Sequence, residues 1–152
     1  MIEIKIVEEN ELETGFQLIW RVFQEYVALD CQKNGINTFY QEFIKNPKFH
    51  EKFKDGRETM YGAYIDKKLV GVLSIGKTHI SCVFVDGRYH RTGIGRELFQ
   101  TVIKELKKNG LREIKLNASP YAVEFYHKMG FHDIGKATEY QGIVYTPMKI
   151  LV

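Results

Sequence analysis

The sequence predicts a mixed α/β (α+β) sheet domain of about seven strands and four helices. Three observations carry that prediction. The 152 residues are 44% apolar and 27% charged, close to the globular average, which excludes disorder, coiled coil and collagen and suits one domain over residues 1–152. Short segments with the two-residue period of strands are interleaved with segments at helical spacing. Turn residues punctuate them, and no repeat or linker divides the chain.

The elements follow in order. Apolar Ile2, Ile4 and Ile6 alternate with charged neighbours, giving a first strand. Asn10 and Glu13 have capping-box spacing, and Leu12, Phe16, Ile19, Phe23 and Tyr26 recur at helical spacing, giving a first helix that ends near Asp30. Past the Asn34-Gly35 turn, Phe39, Tyr40, Phe43 and Ile44 predict a shorter helix that stops at Asn46-Pro47. Thr59 to Ile65, Leu69 to Ile75 and His79 to Val85 are rich in β-branched and aromatic residues and predict an antiparallel meander. Ile94, Leu98, Val102 and Leu106 trace one apolar stripe that ends at Asn109-Gly110. A short strand holds Ile114 and Leu116. Ser119-Pro120 then opens a helix that Gly130 closes, and Phe131–Ile134 with Ile143–Ile150 form a last hairpin.

Composition narrows the function classes. No run reaches eighteen apolar residues, and the start Met1-Ile2-Glu3-Ile4-Lys5 has no signal pattern, so a soluble cytoplasmic protein is expected. Cys31 and Cys82 form neither a metal motif nor a disulfide framework, and reduced thiols with no metal are expected. Net charge is +3 but uneven: residues 1–58 hold 11 acids and 8 bases, while 59–115 hold 5 and 11. A basic middle suits a nucleic acid, a phosphate ligand or an acidic lipid surface, and equally a set of solvated helix faces. Lys104, Lys107, Lys108, Arg112 and Lys115 accompany a clear apolar stripe, with no aromatic interleaving for base stacking. Neither a nucleic-acid nor a membrane partner is expected.

The segment Val83-Phe84-Val85-Asp86-Gly87-Arg88-Tyr89-His90-Arg91-Thr92-Gly93-Ile94-Gly95-Arg96 is a strand feeding a glycine turn that opens a helix. The first amides of a helix have no backbone partner, and glycines let an anion approach them, so the turn is a pyrophosphate cradle or simply a tight turn. A dinucleotide fingerprint needs a third glycine where Leu98 stands, and a GxxxxGK phosphate loop has no match.

His90-Arg91-Thr92-Gly93-Ile94-Gly95 resembles the signature of the GNAT superfamily of N-acetyltransferases, a Gln or Arg, two residues, Gly, one residue, then Gly or Ala, with His90 in place of the Gln or Arg. Leu116-Asn117, nine residues on to Tyr126, then Gly130-Phe131, is similar to a second stretch of that family. The resemblance runs along the whole chain. It implies a twisted, mostly antiparallel sheet splayed between the fourth and fifth strands, with acetyl-CoA in the opening. Pantetheine would pair with the main chain of Val83, Phe84 and Val85. The pyrophosphate would rest on His90, Arg91, Thr92, Gly93, Ile94, Gly95 and Arg96. Asn117 would face the pantetheine or thioester, and the Tyr126 hydroxyl the sulfur.

The implied chemistry is transfer of acetyl from acetyl-CoA to a primary amine by direct attack in a ternary complex, with Tyr126 as acid. His79 stands fourteen residues before Gly93, where histone-type members carry a glutamate base, and imidazole suits proton removal near neutrality. Glu25 and a water chain are the alternatives. The family's acceptor wall maps to Trp20, Phe23, Tyr26, Phe39, Tyr40, Phe43 and Tyr140, with Glu25, Tyr26 and Tyr40 as substrate-binding candidates. The expected partner is a small-molecule or peptide amine, and the expected state a monomer or homodimer. A non-catalytic acyl-CoA sensor on the same fold is the alternative.

Overall fold

The computed structural model describes residues 1–152. Strands β1 (Ile2–Ile6), β2 (Thr59–Ile65), β3 (Lys68–Gly76), β4 (His79–Val85), β5 (Glu113–Ala118), β6 (His132–Asp133), β7 (Thr138–Tyr140) and β8 (Ile143–Leu151) alternate with helices α1 (Leu12–Val22), α2 (Lys33–Phe39), α3 (Pro47–Lys54), α4 (Ile94–Lys108) and α5 (Val123–Met129). The sheet runs β1-β2-β3-β4-β5-β8-β6, and β7 pairs with β8. Every neighbouring pair is antiparallel except β4 and β5.

The mixed sheet class expected from the sequence is present, with one strand and one helix more. The added strand is β7, so the closing region has two short strands against β8. The added helix is α3. Asn46-Pro47, expected to end a helix, also starts one: the Asn46 side chain accepts from the Lys48 N–H at 3.0 Å and Pro47 fills the first turn. The expected Asn10 cap does not form; a 3-10 turn over Glu9–Glu11 leads into α1 instead. Both α1 and α2 widen at their ends into π turns, over Phe23–Val27 and Tyr40–Ile44.

Each face of the sheet carries its own core. Buried Ile94, Leu98, Phe99, Val102 and Leu106 line up along one side of α4, because residues four apart share a helix face, and they meet Leu73, Ile114 and Met148. Phe16, Ile19, Val22 and Phe23 of the first helix meet Met60 and Val72 on the other face, with Phe39 and Phe49 behind them. Each large side chain fully buried this way is worth roughly 1.5–3 kcal/mol.

The sheet opens in its middle. β4 and β5 pair only at His79 with Lys115 and Ile80 with Leu116, whereas β4 stays paired with β3 as far as Val85 and β5 with β8 as far as Ala118. At the fork, Ser74 lies opposite Cys82 and Ile75 opposite Ile80, which leaves Ser81 as an extra residue. A bulge of this kind bends its strand and turns a side chain to a new direction.

Candidate active site

Past the bulge, β4 ends at Val85 and the chain turns through Asp86. The Asp86 carboxylate is almost fully buried and accepts from the Arg88 N–H at 2.9 Å, from the Arg88 guanidinium at 3.2 Å and from Arg21 of α1 at 3.1 Å. The Arg88 hydrogen bonds come first, and with those of Arg21 they hold its pKa well below the usual carboxylate range. This clamp fixes the turn to α1.

Beyond it lies the glycine turn. The first helical hydrogen bond runs from the Glu97 N–H to the Gly93 carbonyl at 3.0 Å, so the N–H groups from Arg91 to Arg96 have no main-chain acceptor. Gly93 has φ +90°, where a side chain would be strained. Gly95 serves packing: a Cβ there would stand 3.1 Å from the Phe125 ring, so α5 approaches α4 closely at this point. Arg91, Thr92 and Arg96 are exposed, whereas Ile94 is buried in the core. The result is an open, positively flanked row of donors at a helix start, fit for a diphosphate.

The two edges of the splay differ. On β4, Val83 and Val85 are partly buried toward the α4 core, and the Phe84 ring turns to the other face, edge-on to Phe39 with ring centres 5.9 Å apart. On β5, Asn117 is exposed on the face opposite buried Leu116 and Ala118. The mouth is bridged. His90 Nε2 stands 2.7 Å from the Val85 carbonyl and Nδ1 stands 3.3 Å from the Tyr121 hydroxyl, which comes from beyond β5. A carbonyl only accepts, so Nε2 carries the proton, and in the neutral ring Tyr121 donates to Nδ1. Tyr26 packs against both His90 and Tyr121.

Tyr126 is buried on α5 among Phe99, Phe125 and Phe131. Its hydroxyl makes no hydrogen bond within the protein. Burial, and then the nearby Cys82 thiol, raise its pKa well above the ordinary phenol value, which keeps the phenol protonated. The Cys82 thiol is itself buried and pushed up to about 12. His79 is at the closed end of the fork. Desolvation, then the Lys115 ammonium on the paired strand, lower its pKa below that of ordinary imidazole.

The structure brings the glycine turn and the parted strands together around one opening, and buries Tyr126 in the core beneath α4. It sets Tyr40 apart from the other two acceptor candidates. Glu25 pairs with Arg21 at 3.8 Å, Tyr26 lies at the mouth, and Tyr40 packs on Trp20 with ring centres 5.0 Å apart, beside a surface hollow that also includes Lys33, Ile36 and Asn37. The helical cap is tied to the late hairpin. Thr38 donates to the Gln141 carbonyl at 2.7 Å, Gln32 N–H to the Gly142 carbonyl at 2.8 Å and Tyr140 to Glu42 at 2.9 Å. Sequence reasoning passed over Glu58, which accepts from Ser81 at 2.9 Å on the cap face of the fork. No group of three His, Cys, Asp or Glu side chains is arranged to hold a metal ion. No helix is long and apolar enough to cross a membrane.

Comparison with known proteins adds to this geometry. Residues 27–152 match the family described as acetyltransferase (GNAT) domain. The uncharacterized N-acetyltransferase YitH of Bacillus subtilis is 33% identical over 72 residues, which are 47% of this chain and 25% of that protein, so the match takes in a quarter of the relative's length. Among solved structures, PaiA N-acetyltransferase from Thermoplasma acidophilum in complex with coenzyme A superposes with a TM-score of 0.81 at 20% identity, covering 100% of this chain and 99% of that one. A GCN5-related N-acetyltransferase structure from Rhodopseudomonas palustris gives 0.84 at 16% identity, over 99% and 95% of the two chains.

Proposed function

The chain belongs to the GNAT acetyltransferase family, and from that premise we propose that it transfers the acetyl group of acetyl-CoA to a primary amine by direct attack within a ternary complex. The observation that carries the reading is the fork itself: two strands that part after Ile80 and Leu116 and lead to a row of partnerless N–H donors at the start of α4. Acetyl-CoA as co-substrate fits that shape, with its pyrophosphate on the amides of Arg91 to Arg96 and its pantetheine along Val83 to Val85.

His90 covers the Val85 carbonyl, so its ring turns aside or shares that edge when pantetheine enters. Asn117 stands on the opposite strand of the opening. The acceptor nitrogen, protonated in solution, gives one proton to His79, directly or through water, and as the neutral amine attacks the thioester carbonyl carbon. The carbon–sulfur bond then breaks with its electron pair on sulfur, and Tyr126 protonates the thiolate. The amide nitrogen's remaining excess proton restores the phenol through solvent. The products are the acetylated amine, CoA thiol and one proton. Lowered basicity at His79 leaves it neutral near pH 7 and able to accept, while raised Tyr126 leaves it able to give.

The test is calorimetric titration with acetyl-CoA followed by detection of free CoA thiol across a panel of amines. Tight binding with amine-dependent thiol release supports the enzyme. Binding with no release from any amine supports the acyl-CoA sensor, and absence of binding overturns both.

A further inference from the structure

We infer that Glu58 is the counter-ion that receives the acceptor as a cationic aliphatic amine on the cap face of the fork, an inference that rests on the acetyl-transfer reading above. Glu58 stands between α3 and β2, its own N–H bound to the Lys52 carbonyl at 3.0 Å. Its Oε2 accepts from the Ser81 hydroxyl at 2.9 Å, and Ser81 Oγ lies 2.8 Å from Ser74 Oγ. Each hydroxyl has one proton to give. Ser81 spends its proton on Glu58, so Ser74 donates to Ser81, and a directed chain runs from buried β3 through the bulge to the carboxylate.

The other oxygen, Oε1, accepts no hydrogen bond. It lies over Gly76, where an added Cβ would collide with it, so the absence of a side chain at that position makes its room. No Lys, Arg or His forms an ion pair with Glu58. Lys52 is near enough to favour its charge, yet burial outweighs this and the Ser81 bond and raises its pKa above the ordinary carboxylate value. A half-buried carboxylate with spare lone pairs and no ion-paired cation is costly by itself and gains most from a ligand that brings the charge.

Its position selects that ligand. Met60, Ser74 and Cys82 occupy the same face of adjacent strands, and Ser81 is the residue at which β4 leaves β5. The carboxylate therefore stands where β4 leaves β5, at the start of the opening in which acyl transfer is proposed. With no third ligand for a metal beside Glu58, the cation is an organic one. An alkylammonium offers three N–H donors, and a charge-assisted bond to a carboxylate is about twice as strong as a neutral one.

The experiment uses n-butylammonium chloride as the probe and 1-butanol as its neutral counterpart, each titrated into the CoA-saturated protein and followed by amide nitrogen–proton chemical shifts. The expected result is saturable shifts at Glu58, Ser74 and Ser81 with the ammonium alone. Glu58→Gln should weaken them about tenfold or more. Gly76→Ala, which keeps the charge but displaces the carboxylate, should do likewise, while both variants bind acetyl-CoA as the parent does. Equal shifts with butanol, or undiminished ammonium binding by both variants, would overturn the inference while leaving acetyl transfer standing. Failure of the parent to bind acetyl-CoA or CoA would overturn the acetyl-transfer reading and this one with it.

Discussion

The side of the fork proposed for the cofactor, from Val83 to Arg96, offers a ligand mainly main chain: a strand edge, a glycine at φ +90° and a row of free N–H donors. The side proposed for the acceptor, between β4, α3 and the hairpin-tied helices, offers side chains instead, among them His79, Ser81 and Glu58, while Tyr126 is buried in the opposite core. Main-chain recognition tolerates change at most positions, provided the turn keeps its shape. Side-chain recognition can be abolished by one atom. The same fold can thus keep its donor while its acceptor varies.

Tyr126→Phe probes that difference most sharply. It removes one oxygen that makes no internal hydrogen bond, so folding stability and acetyl-CoA affinity should hold while turnover falls about 10²-fold or more. Unchanged single-turnover rates would mean the thiolate is protonated from elsewhere. His79→Gln should lower the plateau rate by a similar factor, roughly 10²-fold. The parent's activity should rise with pH through an ionisation below the ordinary imidazole value, because the neutral ring is the accepting form and Lys115 and desolvation both disfavour its charge. That limb should vanish in the variant. A pH–rate profile that overlays the parent's would place the base at another group.

Asp86→Ala tests the clamp that joins the two sides, and should cost about 2 kcal/mol in urea unfolding at pH 7. The sign with pH follows from a pKa held low in the folded state: Asp86 contributes fully above the unfolded value near ~3.9 and its contribution is lost as pH falls below it. The gap between parent and variant should therefore narrow in acid; a gap that is constant from pH 7 to 3 would contradict the assignment. Gly93→Val should weaken acetyl-CoA by about tenfold, since the strained turn misaligns several donors at once. Equal calorimetric affinities would remove the cradle. The smallest effect belongs to Arg96→Ala, an exposed charge beside main-chain donors, expected to change affinity by no more than about fivefold. A larger loss would show that side chains, not amides, bind the cofactor.

Much of this was legible beforehand where the signal is local. Alternation at Ile2, Ile4 and Ile6 gave the first strand, and Ile94, Leu98, Val102 and Leu106 gave α4 with Gly110 just past its end, because period and capping are properties of neighbouring residues. Asn46-Pro47 was legible too, but the pair marks both an end and a start, and only the end was read. The glycine turn could be recognised for the same reason: strand, turn and helix start are contiguous in the chain.

The sequence by itself determined the mixed sheet class, the glycine turn and the spacing from Asn117 to Tyr126, all set within short stretches by backbone preference and side-chain period. The family resemblance already implied a splay between the fourth and fifth strands; only the tertiary structure decided that Ser81 is the extra residue at the fork and that Glu58 reaches it across 23 positions of sequence. It also drew Tyr26, His90 and Tyr121 to one mouth and sent Tyr40 to Trp20. Register and cross-strand contact depend on where distant segments meet. A carboxylate becomes uncompensated only once folding has taken it from water and left it no paired cation.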